Sequence, residues 1–169
     1  MKLVTPNLKY EKSWKEGLVE FDDTELWDGF WNVLEKPTNL KDYIKKTKDY
    51  SKGKNLPEHW VTSNTYWLVD KEKFIGHVNV RHKLSEQLKK AGGHIGYAIR
   101  PSMRKQGYGL KILQLALLEA KKIGLNKVLI TCEDSNQISQ KIIEKNNGQL
   151  ENIFKVNGKM IRHYWIKLS

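Results

Sequence analysis

Apolar positions fall into short alternating runs through the last two thirds of the chain and recur at helical spacing between several of those runs. Thr65 to Val69 (TYWLV) and Phe74 to Val80 (FIGHVNV) are rich in β-branched and aromatic residues and flank Asp70-Lys71-Glu72-Lys73. That pattern predicts a hairpin, with the second strand continuing towards Arg81 and His82. Ser85 to Lys90 reads as one polar helical turn leading to Gly92-Gly93. His94 to Ile99 gives a third strand, and Pro101 forces Arg100 into an extended conformation, so the strand ends near Arg100. From Leu110 to Ile123, Leu, Ile and Ala recur around most of a helical circumference, with Lys121 and Lys122 in the last turn and Gly124 as the stop. So apolar a helix, starting close to Gly107, is expected to be buried. Lys127 to Cys132 (KVLITC) is a further strand. Asp134-Ser135-Asn136 then opens a helix carrying Ile138, Ile142 and Ile143 that stops at Asn147-Gly148. Ile153 to Val156 and Met160 to Leu168 flank Asn157-Gly158, a strong two-residue hairpin signal.

The first third reads differently. Met1 to Val4 suits an edge strand before Pro6, and Leu8, Trp14, Leu18 and Phe21 form one apolar stripe on a helix rich in Lys and Glu. Leu26 to Tyr50 is a second helical segment, interrupted at Pro37, with Tyr43 and Ile44 towards its end. Ser51 to Ser63 has the composition of a loop. Four of the six tryptophans, Trp14, Trp27, Trp31 and Trp60, lie in this third. Their first reading is as the cap of a core, with a substrate groove as the alternative. The three sequential strands are most simply antiparallel, whereas strand, helix, strand from His94 to Cys132 should place two strands parallel. The expected fold is therefore α/β of the α+β kind: a mixed, mostly antiparallel central sheet flanked by helices. It forms one domain over 1–169, helical across residues 1–65 and sheet-based across residues 66–169.

Composition narrows the classes. At 169 residues and 39% hydrophobic content the chain is long enough for a sizeable core. It has no basic leader followed by a long apolar run, and no apolar stretch of membrane-spanning length, which points to a soluble, cytoplasmic protein without a membrane partner. A single cysteine, Cys132, excludes an internal disulfide and a cysteine-cluster metal site, and no metal is expected. The net charge of +11 is not evenly spread. Residues 1–65 carry eleven Lys against eleven acids, and residues 66–169 carry nineteen basic against eight acidic residues, so the whole surplus belongs to the sheet-based region.

That region also holds Arg104-Lys105-Gln106-Gly107-Tyr108-Gly109, between a strand and a helix. Its glycines allow a tight turn, and the unpaired N–H groups at the helix start, with the helix dipole, make an anion site. The loop lacks the Gly-Lys-Ser/Thr of a Walker loop and the first glycine of a dinucleotide fingerprint. The pattern Arg-x-x-Gly-x-Gly, preceded by Ile99-Arg100-Pro101 and followed by a helix, resembles motif A of the GNAT superfamily of N-acetyltransferases. The resemblance spans Tyr66 to Ser169. It implies a GNAT-like acyl-CoA N-acyltransferase fold whose loop, Arg104 to Gly109, holds the diphosphate of acetyl-CoA. It also implies that the main chain of Tyr97, Ala98 and Ile99 pairs with the pantetheine and offers an N–H to the thioester carbonyl, and that Asn136 contacts the pantetheine arm. A cofactor-directed potential then explains the basic surplus without nucleic acid.

Acetyl transfer to an amine also needs a route for the amine proton. His94, on the strand leading into the cofactor segment, is the preferred base, with a hydrogen-bonded structural role as its alternative. Glu133 is the second candidate, with Asp134, because ligands of open α/β sheets gather at the carboxyl ends of strands. Asp134 has a competing role as a helix cap. Arg81 and His82 are further polar residues near the expected cleft. Many relatives place a Tyr seven residues after the Asn to protonate the thiolate; here that position is Ile143. The leading expectation is an N-acetyltransferase that passes acetyl from acetyl-CoA to a primary amine of a small molecule or peptide by direct attack on the thioester, with a homodimer compatible. A catalytically idle acyl-CoA-binding module is the alternative. A nucleic-acid-binding module ranks last, because the chain lacks aromatic and basic interleaving.

Overall fold

The computed structural model of the chain describes residues 1–22 and 39–168. Of the helical segment expected from Leu26, only the stretch from residue 39 onward is therefore seen, and its interruption at Pro37, with Trp27 and Trp31, lies outside the described residues.

The strands form two sheets. β1 (Lys2–Val4), β2 (Ser63–Asp70), β3 (Lys73–Arg81) and β4 (Ile95–Ile99) lie in that order, each antiparallel to its neighbour. β5 (Lys127–Glu133), β6 (Gln149–Val156) and β7 (Lys159–Lys167) form the second sheet in the order β5-β7-β6, again antiparallel. Asn157 and Gly158 both take positive φ, 48° and 83°, which gives the tight hairpin that their sequence signals. The helices are α1 (Glu11–Asp22), α2 (Leu40–Tyr50), α3 (Glu86–Lys90), α4 (Tyr108–Lys122) and α5 (Gln137–Lys145). The fold class is the expected one, α/β with antiparallel sheets flanked by helices.

Two local expectations are corrected. β4 and β5 do not make a parallel ladder; they belong to different sheets and meet at His94, whose N–H donates to Leu129 O at 2.7 Å. Gly93, at φ 60°, turns the chain there, and no ladder to β5 continues along β4. α4 is also not buried all round. Ile112, Leu113, Ala116 and Ala120 are fully enclosed, while Leu118 is 56% exposed.

Alternation along the strands builds two apolar layers. On one face, Leu68, Ile75, Val78, Val80 and Ile95 pack with the buried stripe of α4 and with Val128, Ile130, Tyr164 and Ile166 of the second sheet. On the other, Trp67, Val69 and Phe74 pack with Trp14, Leu18 and Phe21 of α1 and with Leu40 and Tyr43 of α2. Trp14 sits 5.8 Å from Trp67 and 5.7 Å from Tyr43, centroid to centroid. Such aromatic pairs contribute about 0.5–1.5 kcal/mol each beyond area burial. Trp14 is thus the core residue that its place on the stripe implies, whereas Leu8, the first residue of that stripe, is exposed and Tyr10 is buried instead.

His77 lies in the middle of β3, 1% exposed and against the Phe21 ring. Burial pushes its pKa down from 6.5 to about 3. Above pH 6.5 the folded and unfolded chains bind the same number of protons here. Between pH 6.5 and about 3 only the unfolded chain takes one up, so stability is lost as the pH falls through this window. The melting temperature is expected to drop on acidification, and His77→Gln, though less stable at neutral pH, should show a shallower drop over pH 6.5–4. Equal slopes in the two proteins would place the acid sensitivity elsewhere.

Candidate active site

The stretch linking β4 to α4 is shaped residue by residue. Arg100 is extended (φ −46°, ψ 129°), as the following proline requires, and a single turn at Pro101–Met103 hands the chain to the loop. Lys105 and Gly107 both have positive φ, 60° and 82°. Among the described residues, the backbone N–H groups from Lys105 through Leu110 find no acceptor. The later ones belong to the first turn of α4, where no intrahelical acceptor exists. A Cβ added to Gly107 would meet nothing within 4 Å, so the outer face of this turn is open. Gly109 has a different reason: a Cβ there would stand 2.6 Å from Ile142 Cδ1, so the missing side chain lets α5 close onto α4. Arg104 folds back to donate Nε–H to Ile99 O (3.2 Å), and the Gln106 side-chain amide donates to Ser102 O (3.3 Å). Lys105 is exposed and Tyr108 half-buried against the core.

β4 offers this loop a backbone edge without a strand partner among the described residues, on which Ile99 O already accepts from Arg104. Arg81 N donates to His94 O at 2.8 Å and Arg100 N to Ile75 O at 2.9 Å. In an antiparallel ladder, hydrogen-bonded pairs alternate with non-bonded ones, so Gly96 and Ala98 face β3 with their main-chain groups. The N–H and C=O of Tyr97 and Ile99 point the other way, to the side on which β5 makes no ladder. The phenol of Tyr97 is buried beside Ser139 of α5, and burial raises its pKa. Asn136 caps α5, its Oδ1 accepting from Ser139 N at 3.0 Å, which leaves its side-chain NH₂ as a donor on an exposed residue.

The joint between β4 and β5 is where His94 sits. The residue is 7% exposed, and its Nδ1 accepts from Leu129 N at 2.9 Å. That bond uses the Nδ1 lone pair and leaves the neutral ring with its proton on Nε2. Burial first, then the charge of Arg81, holds the pKa below the ordinary imidazole value. Arg81 Nη1 donates to Gly92 O (3.0 Å) and Gly93 O (2.9 Å), and Gly92 N donates to Thr131 Oγ1 (2.8 Å). Arg81 is thus committed to the joint, and burial pushes its pKa down to about 10.

Beside the joint opens a cleft of about 410 Å³. Glu133, at the carboxyl end of β5, lines it, 43% exposed at its side chain and paired with Lys159 at 2.6 Å. Asp134 is turned to Arg162 in an ion pair and does not line the cleft. His82, bonded to Asn64 at 3.1 Å, and His94 do not line it either. Cys132 does; its thiol is pushed up to about 11, first by burial, and so stays protonated. The sequence reading missed the polar lining. Asn79 Nδ2 donates to Ser63 Oγ (3.0 Å) and Thr65 Oγ1 (3.2 Å), a trio on facing strands with all three residues buried. Its signal was available: polar residues two apart in β2, opposite an Asn set between two valines in β3. Trp60, 5.4 Å from Tyr50, is the one tryptophan of the first third that reaches the cleft among the described residues.

A family model described as an acetyltransferase (GNAT) domain matches residues 16–149, well over half the chain. The chain belongs to the GNAT acetyltransferase family. Solved structures share its fold at low identity. An acetyl transferase from Salmonella typhimurium that modifies the N-terminal serine of a 50S ribosomal subunit protein is 16% identical, with 99% of this chain and 94% of that one covered at a TM-score of 0.65. A putative acetyltransferase from Salmonella typhimurium, solved with acetyl-CoA, is 11% identical over 99% and 94% at 0.67. A variant of spermidine N-acetyltransferase from Vibrio cholerae is 13% identical over 99% and 95% at 0.65. No curated protein sequence matches the chain. Among the described residues no group of His, Cys, Asp and Glu could hold a metal ion, and no helix is long and apolar enough to cross a membrane.

Proposed function

We propose that this chain transfers an acetyl group from acetyl-CoA to a primary amine of a small-molecule or peptide acceptor, by direct attack of the amine on the thioester. One observation carries the reading: a row of N–H groups without acceptors among the described residues, Lys105 to Leu110, adjoins the edge of β4 that has no strand partner there. Such a row at a helix start fits a diphosphate, and a free strand edge fits the amide-bearing arm of pantetheine. Structural neighbours that bind acetyl-CoA or act on a polyamine or an N-terminal serine support the same class of acceptor.

Bound there, acetyl-CoA supplies an electrophilic thioester carbon. The N–H groups of Lys105 to Leu110, Gly107 and Gly109 among them, hold the diphosphate with the α4 dipole, and Arg104 and Lys105 add positive charge. Tyr97 and Ile99 pair through their main chains, Ala98 sets their spacing, and Asn136 donates from α5. A main-chain N–H on this edge is a fixed dipole for the developing oxyanion, with no reorganisation needed. Glu133, facing the cleft, takes the proton of the incoming amine directly or through one water. His94 serves as the latch between β4 and β5, because its Nδ1 is already engaged and its ring does not reach the cleft. Ile143 is fully buried and α5 carries no tyrosine, so no side-chain acid is assigned on that helix; a thiolate of pKa near about 8.5 leaves with little help. The same buried Ile143 favours a second reading, an idle acyl-CoA-binding module.

Acetyl-CoA at about a hundred times its Kd should stabilise the fold by about 2.7 kcal/mol, a rise in Tm of roughly 5–10 °C. A flat melting curve and flat calorimetry at millimolar acetyl-CoA would remove both readings. Binding without thiol release across a broad amine panel would leave only the second.

A further inference from the structure

One face of α1 is spent on a single residue of the β4–α4 turn. Ser13, Glu16, Gly17 and Glu20 follow at positions three, four and seven residues on from Ser13, so they line one stripe of the helix. Arg100 lies across that stripe with its side chain 10% exposed. Its Nε donates to Glu20 Oε1 at 2.6 Å, its Nη1 to Ser13 O and Oγ at 3.3 Å, and its Nη2 stands 3.7 Å from Glu16. A Cβ on Gly17 would come within 3.5 Å of Arg100 Cδ and 2.9 Å of the Phe74 ring, which accounts for a glycine inside a helix.

Glu20 does more than neutralise Arg100. Its Oε2 accepts from Ser102 N at 2.9 Å, and its Oε1 from Ser102 Oγ at 3.0 Å. One carboxylate therefore grips both ends of Arg100-Pro101-Ser102, the first three residues of the five that link β4 to the N–H row of the loop. Ser102 O in turn accepts from the Gln106 side chain, so the grip continues into the loop. Burial alone would raise the Glu20 pKa, yet the bonds from Ser102 and Arg100 outweigh it and hold the carboxyl below its ordinary value. The carboxylate is thus charged and fully engaged.

We infer that Glu20 is a positioning residue for the diphosphate loop: acting through Arg100 and Ser102, it fixes how far the N–H row of residues 105–110 stands from the pairing edge of β4. This rests on the acetyl-CoA reading above and adds to it a residue from a helix that makes no contact with the loop itself in the bonds described.

The test separates positioning from folding by using a donor that lacks the diphosphate. Glu20→Ala and Glu20→Gln would be compared with wild type for acetyl-CoA affinity by calorimetry, and for kcat/KM with acetyl-CoA and with S-acetyl-pantetheine. Glu20→Ala is expected to raise the Kd for acetyl-CoA about ten-fold or more, the loss of charge-assisted bonds being of that order. Glu20→Gln, which keeps an acceptor for Ser102, should raise it less. With S-acetyl-pantetheine both variants should stay within about two-fold of wild type, because nothing in that donor touches the loop. Equal losses with both donors would mean a general disturbance of the fold, and unchanged acetyl-CoA affinity would mean that the grip is idle; either outcome overturns the inference. If Glu20→Ala does not fold, the comparison stands on Glu20→Gln alone. Failure of the underlying acetyl-CoA reading shows separately, as a wild type that binds no acetyl-CoA.

Discussion

Glu133→Gln is expected to lower kcat/KM for the amine acceptor about 10²–10⁴-fold, the range lost with a general base, while leaving the Kd for acetyl-CoA unchanged. Glutamine keeps the size of the side chain and its place in the cleft but cannot take up a proton. The pairing with Lys159, at 2.6 Å between two largely solvated groups, contributes at most about 1 kcal/mol, so the variant should melt close to wild type. His94→Ala supplies the contrast. Removing the acceptor for the buried Leu129 N–H costs about 1–3 kcal/mol of stability, yet turnover by the folded protein should stay close to wild type. Near-native turnover in Glu133→Gln combined with a loss of about 10²–10⁴-fold in folded His94→Ala would return the proton to His94.

Gly107→Val is expected to weaken acetyl-CoA binding by roughly 10²-fold while the protein remains folded, as one or two charge-assisted hydrogen bonds to phosphate are lost. Gly107 holds φ 82° as the first residue before α4, a conformation that costs a β-branched residue about 1–2 kcal/mol, but the open space around it adds no clash. The expected loss therefore reports on the approach of phosphate to the backbone and not on a packing clash. Gly109 is a poorer probe, since a side chain there strikes Ile142 and separates α5 from α4 whatever happens to the ligand. Titration calorimetry on both proteins, with Tm as the control, decides the matter. A well-folded Gly107→Val protein with unchanged affinity would reduce the loop to a simple turn.

The regions of the fold that the sequence made legible are those governed by local chemistry. Asn157-Gly158 can hardly be anything but a tight hairpin, Pro101 dictates the backbone of Arg100, and the Leu and Ala periodicity of α4 is unmistakable. What escaped was decided by side chains far apart in the chain. The separation of β4 from β5 depends on which edge groups find partners across a gap, which a strand, helix, strand pattern does not encode. The residue type and strand position of His94 suit a base, whereas its burial against Leu129 is a property of the folded joint. That Glu133 lines the cleft was legible from its place at a strand end. Glu20 was not, since an acid on a Lys- and Glu-rich helix reads as a solvated face until Arg100, eighty residues later, is laid beside it.

The two halves of this site are built from different material. On one side, in the function proposed above, contacts to the donor run mainly through main-chain groups of residues 97–99 and 105–110, which survive most side-chain replacements. On the other, the cleft is walled by the side chains of Tyr50, Trp60, Ser63, Thr65 and Asn79, drawn from α2, the loop after it, and β2 and β3. If the cleft receives the acceptor as proposed, inheritance can rewrite that wall one residue at a time while the donor half keeps its shape, and a library confined to those five positions is the natural place to redirect the protein towards a different amine.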